Sequence, residues 1–318
     1  MSSSKRGVSL LVELFDRVDV PYKGPNGTPF TAAILVPRAL KAATKTCPLI
    51  AHFHGGGLYM GTNPEPSFLS RWSLELAVTK NAIIVSPAYR LLPEATGTDI
   101  LQDVLDFWDW VRTSLPTSVA ATWPDLTVDL TSTAVLGESA GGYLSLLSAF
   151  HQPAGTIQVA MAQYCSIFPD IDAWRPQPVD GGPADAHALI DNYLATIPPG
   201  ALVVSRPFPA MLDFGLACLK TGRYREWMGP DERLTLAYGL RTAKQLPPIW
   251  VLQGLEDSLV PRAATDSMVE RIRKVRPETP LLYSVQPGDH GFDEAHALDE
   301  PYVAEGLAFV TKYWPKTV

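Results

Sequence analysis

Short, nearly unbroken apolar runs recur along the chain, and most are followed by stretches whose apolar residues return every third or fourth position. The first kind suits strands buried on both faces, the second amphipathic helices. Residues 48–53, 81–86, 133–136, 157–165, 248–253 and 280–285 read as such strands. Residues 99–115 place Ile100, Val104, Phe107 or Trp108, and Val111 at helical spacing, and residues 140–150, 262–275 and 301–314 also read as helices. Ahead of them, residues 16–22 and 30–36 flank the turn formers Lys23-Gly24-Pro25-Asn26-Gly27-Thr28-Pro29 and predict an antiparallel hairpin. The alternation predicts an α/β protein with a mostly parallel central sheet and helices on both faces.

Residues 168–246 break this rhythm with proline, glycine and aromatic residues, among them Trp174, Tyr193, Phe208, Phe214, Tyr224, Trp227 and Tyr238. Helical patches fall at 186–195 and 210–219, and the strand–helix rhythm resumes directly afterwards. The segment therefore reads as a cap inserted into one core domain made of residues 1–167 and 247–318.

One stretch, residues 132–149, goes from a β-branched apolar run through Gly137-Glu138-Ser139-Ala140-Gly141 into good helix formers. That is strand, sharp turn, helix, with a serine at the apex. Glycines two positions either side leave room for so tight a turn, and the serine hydroxyl is lifted clear of the backbone.

Composition narrows the functional classes. At 318 residues and 46% apolar content the chain can bury a large core. Thirty-three acidic against 26 basic residues leave a net charge of −7, and the one basic cluster is Arg271-Ile272-Arg273-Lys274, so a nucleic-acid partner is not expected. Glu13 and Asp16 interrupt the first apolar run, which does not read as a signal peptide. No apolar run reaches the roughly 18 residues a membrane span needs. Cys47, Cys165 and Cys218 are odd in number and far apart, which predicts reduced thiols, a cytoplasmic protein and no metal site.

A serine hydroxyl is a poor nucleophile without a base in hydrogen-bond reach and a third group orienting that base. Of six histidines, His52 and His54 end a strand, His151 ends the helix after the serine, and His187 lies in the cap. His290, in Pro287-Gly288-Asp289-His290-Gly291-Phe292 just past the last strand, is the candidate base, with His296 as runner-up. Either carboxylate of Glu256-Asp257, after the preceding strand, could be the acid; the plainer alternative is a carboxylate facing the N-terminus of the next helix. The order serine, acid, histidine is that of α/β-hydrolases. His54-Gly55-Gly56-Gly57 follows a buried strand, and its backbone N–H groups can approach a substrate oxygen without Cβ obstruction.

His54-Gly55-Gly56-Gly57, Tyr89-Arg90-Leu91-Leu92-Pro93-Glu94, Gly137-Glu138-Ser139-Ala140-Gly141-Gly142 and His290-Gly291-Phe292 together resemble the hormone-sensitive-lipase-like (family IV) esterases of the α/β-hydrolase fold. The resemblance implies Ser139 as nucleophile, His290 as base and Asp257 as acid, with an oxyanion hole from the N–H groups of Gly55, Gly56, Gly57 and Ala140. Leu58, Tyr59 and Phe292 are the candidates for substrate contact. It further implies a small-molecule ester substrate, no cofactor, and a homodimer as in some related proteins. The chain departs from the family in carrying Asp257-Ser258-Leu259 where Asp-Pro-Leu is frequent, and in having only about a dozen residues before its first strand. Kynurenine formamidases resemble the same group but usually carry tryptophan where this chain has Leu58. Acyl transfer, or rearrangement of a natural-product intermediate, is the alternative reaction on this fold. A binding-only receptor of the gibberellin-receptor type is the other alternative, and the presence of His290 counts against it.

Overall fold

The computed structural model describes residues 3–24, 30–40, 46–165 and 183–316. The turn formers 25–29 and the first part of the predicted cap, 168–182 with Trp174, lie outside the described residues. In chain order, α1 (Ser3–Leu14) leads into β1 (Phe15–Lys23) and β2 (Phe30–Pro37). Then come β3 (Thr46–Phe53), α2 (Arg71–Thr79), β4 (Ile83–Pro87), α3 (Gly97–Thr113) and α4 (Leu115–Thr122). The long β5 (Thr127–Glu138) is followed by α5 (Ala140–His151) and β6 (Val159–Gln163). Among the described residues between β6 and β7 (Ile249–Gly254) lie the α-helices α6 (Pro183–Leu194), α7 (Leu212–Thr221), α8 (Tyr224–Met228) and α9 (Leu236–Thr242). The chain ends through α10 (Arg262–Val275), β8 (Leu281–Gln286) and α11 (Pro301–Val310).

The eight strands form one sheet in the order β1-β2-β4-β3-β5-β6-β7-β8. β1 with β2 and β2 with β4 are antiparallel, and every later pair is parallel. Alternate residues of the parallel strands feed two cores. Leu49, Ala51, Phe53 and Val135 pack on one face with residues of α3, α5 and α10. Ile50, Ala134 and Leu136 pack on the other with Trp72 of α2 and Tyr302, Val303 and Val310 of α11. Double-sided burial is why these strands read as unbroken apolar runs.

Several elements carry a weaker pattern than the sheet core. The first half of β5 is polar, with Thr127 and Thr131 exposed, so only its apolar second half stands out in the sequence. α2 spans nine residues, and α4 begins where Pro116 takes a first-turn position. The dozen residues before β1 form α1, which buries Leu11 against the sheet while Val12 stays exposed. Helix α3 starts where sequence spacing places it, at a capping box in which Thr96 and Asp99 satisfy each other's backbone N–H.

No helix among the described residues is long and apolar enough to cross a membrane. Nor do the described residues bring three or more His, Cys, Asp or Glu side chains together as a metal site.

Candidate active site

The parallel strands all end on one edge of the sheet, and the predicted chemistry collects there. Between β5 and α5, Ser139 sits at φ 54° and ψ −116°, a conformation that non-glycine residues rarely adopt. Neighbouring glycines make that geometry possible. A Cβ on Gly137 would lie 2.3 Å from the carbonyl of Gly141, and one on Gly141 would lie 1.9 Å from the carbonyl oxygen of Phe53. The Ser139 N–H donates to the Gln163 carbonyl at the end of β6, 2.8 Å away, which ties the turn to its neighbouring strand. Ser139 also stands at the N-terminus of α5, where the helix dipole favours developing negative charge.

Asp257 and His290 meet in the loops after β7 and β8. His290 Nδ1 lies 2.9 Å from Asp257 Oδ2 and 3.1 Å from Oδ1. The Asp257 carboxylate is buried and accepts from the N–H groups of Leu259 and Val260 at 3.0 and 2.7 Å and from Gln253 Nε2 at 3.0 Å. Those three donors fix the orientation of the side chain toward His290. Glu256, the other carboxylate of the pair, is exposed and accepts the Gly288 N–H at 2.6 Å instead. Ser258, where proline is frequent in the resembling esterases, donates its N–H and Oγ–H to Asp289 Oδ1 at 2.7 and 2.8 Å. Proline could supply neither bond. Burial raises the pKa of Asp289, but the backbone N–H groups of Ser258 and His290 outweigh it, and the carboxyl is held below its ordinary range.

The glycine loop approaches from β3. Gly56, Gly57 and Leu58 run consecutively through positive φ, at 97°, 66° and 66°. His54 anchors the loop: its Nδ1–H donates to the Gly55 carbonyl at 2.8 Å, its ring stacks on Tyr89 at 4.3 Å, and the Tyr89 hydroxyl donates to the His54 carbonyl at 2.8 Å. Arg90 in turn donates to Asp99 and Asp103 of α3, so the Tyr89-Arg90 motif is scaffold for the loop.

Burial lowers the pKa of His54 to about 3, an effect opposed by the Gly55 carbonyl and reinforced by His52. Because an unfolded histidine titrates near 6.5, the unfolded chain gains this proton as pH falls below that value while the folded chain does not. His54 therefore contributes stability above about pH 6.5 that is lost progressively toward pH 3, at up to about 1.4 kcal/mol per pH unit. Urea denaturation between pH 7 and 5 should show a shallower loss of stability for His54→Gln than for the native chain; equal slopes would refute the assignment.

Ser139, His290, Gly56, Gly57 and Tyr59 line one cavity of about 410 Å³. Its apolar side comes from Met60, Phe68 and Phe208 and from Leu212, Leu216 and Leu219 of α7; its polar side includes Glu138, Asp289 and Glu294. Glu138 is buried and faces His52 Nε2 at 3.0 Å, whose Nδ1 lies 3.1 Å from Ser86 Oγ. The α7 side is tied to the glycine loop at Arg206, whose backbone exchanges hydrogen bonds with Gly61 at 2.6 and 3.0 Å. The Arg206 guanidinium also donates to Glu94 Oε1 at 2.7 Å and to the Tyr59 carbonyl at 2.9 Å.

The side chains of the remaining candidates lie off the cavity. Leu58 is fully buried in the core, because the left-handed turn that exposes the Gly56–Gly57 backbone carries its side chain inward. Phe292 packs on Tyr302 and His296 on the α11 side, with centroids 5.9 and 6.0 Å away. Gly55 lies against the elbow, where a Cβ would come within 2.9 Å of the Glu138 carbonyl oxygen, and Ala140 is buried at the first position of α5. His296 hydrogen-bonds the Tyr302 hydroxyl at 2.7 Å, His151 contacts the Arg233 carbonyl, and His187 is exposed on α6. α7 falls on the helical patch read at 210–219, but no local sequence signature marks it as a cavity wall, nor Tyr164 as the residue behind His290.

Residues 50–292 match the alpha/beta hydrolase fold family. Over 310 residues the chain is 32% identical to the probable carboxylesterase M8 of Phoma sp., covering 94% of this chain and 97% of that protein. It is 37% identical over 189 residues to the probable carboxylesterase clz11 of Cochliobolus lunatus, covering 57% of this chain and 86% of that one. An esterase structure from Rhizomucor miehei shares the fold, with a TM-score of 0.61 at 17% identity over 98% of this chain and 88% of that one.

Proposed function

The chain belongs to the alpha/beta hydrolase fold family as a carboxylesterase-type member, and we propose that it cleaves small-molecule carboxylic esters through an acyl-enzyme on Ser139. Ser139 Oγ attacks the ester carbonyl carbon while His290 Nε2 takes its proton, and Asp257 holds the Nδ1–H of the resulting imidazolium. The N–H groups of Gly56, Gly57 and Ala140 receive the oxyanion, with the α5 N-terminus beneath them. His290 then returns the proton to the departing alkoxide, and water, deprotonated by His290 in its turn, releases the acid and restores Ser139. These steps call on no cofactor. The apolar wall of α7 suits an ester with an apolar acyl or alcohol group of modest size.

The observation that carries this reading is the His290 Nδ1–Asp257 Oδ2 contact of 2.9 Å in loops bordering the cavity that Ser139 lines. It commits Nδ1 to the acid and leaves Nε2 for the serine. Asp257→Asn should therefore lower kcat for p-nitrophenyl butyrate by about 100- to 10,000-fold, since an amide facing Nδ1 favours the wrong tautomer. Glu256→Gln should stay within about threefold of the native enzyme, because it touches only the Gly288 N–H. Equal rates for the two variants would remove Asp257 from its role.

A further inference from the structure

A second carboxyl lies beneath the site. Asp293, three residues beyond His290, is completely buried, and its Oδ2 accepts from Trp72 Nε1 of α2 at 2.8 Å and from Gln163 Nε2 of β6 at 2.6 Å. Its Oδ1 forms no well-aligned hydrogen bond among the described residues, and the Tyr164 hydroxyl is a further donor toward the carboxyl. The two donors belong to segments 221 and 130 residues away in sequence.

What Asp293 holds is significant. The Gln163 carbonyl accepts the Ser139 N–H, so fixing Gln163 fixes the backbone of the strained elbow. The next residue, Tyr164, sits at φ 36° with its ring edge-on to His290 at a centroid distance of 4.7 Å. Burial first, and the neighbouring Asp293 charge second, push the Tyr164 hydroxyl well above its ordinary range, which places that hydroxyl beside the carboxyl. The short loop that carries His290 is closed by backbone bonds on either side of Asp293, from Phe292 N–H to the Asp289 carbonyl and from His296 N–H to the Asp293 carbonyl, so the buried side chain anchors a turn that is already compact. One side chain thus joins the strand that holds the serine to the loop that holds the histidine.

A loop anchor alone does not call for a carboxyl. Burying one is costly, and well-packed apolar side chains are frequently as stable or more so in such places. We propose that Asp293 is a positioning residue of the esterase, acting through Gln163 and the 290–293 loop to set the distance between Ser139 and His290. The proposal rests on the Ser139–His290 reading given above. Displacement of reacting groups by about 1 Å can cost on the order of 100-fold in rate, so a fixed separation has a kinetic consequence.

Steady-state kinetics on p-nitrophenyl butyrate test the idea, with thermal denaturation recorded for each variant. Asp293→Ala should lower kcat by about 10- to 100-fold with KM within about threefold of native. Asp293→Asn should recover most of that loss, because its amide oxygen can accept the same two N–H bonds. Gln163→Met, which removes the side-chain donor but keeps the backbone carbonyl, should slow turnover in the same way, and the double variant should be no slower than the worse single one. A native kcat in Asp293→Ala below its melting temperature, or an Asp293→Asn as slow as Asp293→Ala, would overturn the proposal. Should Asp293→Ala fail to fold, an unchanged kcat in Gln163→Met overturns it equally. Full activity in Ser139→Ala would bring down the underlying mechanism as well, whereas an inactive Ser139→Ala beside an unimpaired Asp293→Ala would remove Asp293 alone.

Discussion

Ser139→Ala should hydrolyse p-nitrophenyl butyrate at least about 10,000-fold more slowly than the native chain, because removing the attacking oxygen leaves only the binding and oxyanion contributions. The substitution itself should be structurally mild. The Ser139 N–H bond to the Gln163 carbonyl is a backbone bond and survives it, and the side chain lost is partly exposed at the cavity. Alanine in that positive-φ position pays a strain serine already pays, so the melting temperature should change by no more than a few degrees. A fluorophosphonate probe should label the native protein and leave Ser139→Ala unlabelled. Residual hydrolysis within tenfold of native, with the fold intact, would place the nucleophile elsewhere.

Gly141→Ala should be the most damaging single methyl in the molecule. A Cβ there would stand 1.9 Å from the Phe53 carbonyl oxygen and 2.6 Å from its carbonyl carbon, both backbone atoms of β3. Nothing flexible can move aside, so either the elbow shifts away from β3 or the parallel pairing of β3 with β5 opens. Overpacking in a rigid site costs up to about 3 kcal/mol or more, a large part of the 5–15 kcal/mol typical of a domain. The melting temperature should fall by roughly 6–12 °C, or the chain should fail to accumulate in folded form. Whatever folds should be nearly inactive, because the same displacement moves Ser139 and the first N–H groups of α5. A variant with native stability and native kcat would contradict the close approach of elbow and glycine loop.

How legible each part was in the sequence follows from whether its physical cause is local. The strands with two buried faces, such as β3 and β4, announce themselves by composition, and α10 occupies Arg262–Val275 as its spacing predicts. The polar half of β5 does not, since Thr127 through Asp129 is held by pairing with Thr46 through Pro48 and not by any apolar pattern. Helices α2 and α4 are short, and their stability comes from what they pack against. In the site, Ser139, Gly56 and His290 stand out because sharp turns demand particular residues within a few positions. Asp293 and Gln163 meet across 130 residues, and no local pattern marks either. Leu58, beside the Gly56–Gly57 backbone, is carried into the core, while Phe292 packs half-buried beside Tyr302 and His296, placements that depend on distant parts of the chain.

The join at Arg206 separates two kinds of wall within one cavity. Its reactive edge is assembled from the ends of buried parallel strands, where almost any drift in sequence would displace the elbow or the histidine loop. Its greasy wall is built by α7, whose preceding segment meets the glycine loop at the Gly61–Arg206 bridge and whose Phe214 packs on Tyr59. Exchanging leucines along α7 should therefore reshape the apolar side of the cavity while leaving the strand-end edge in place.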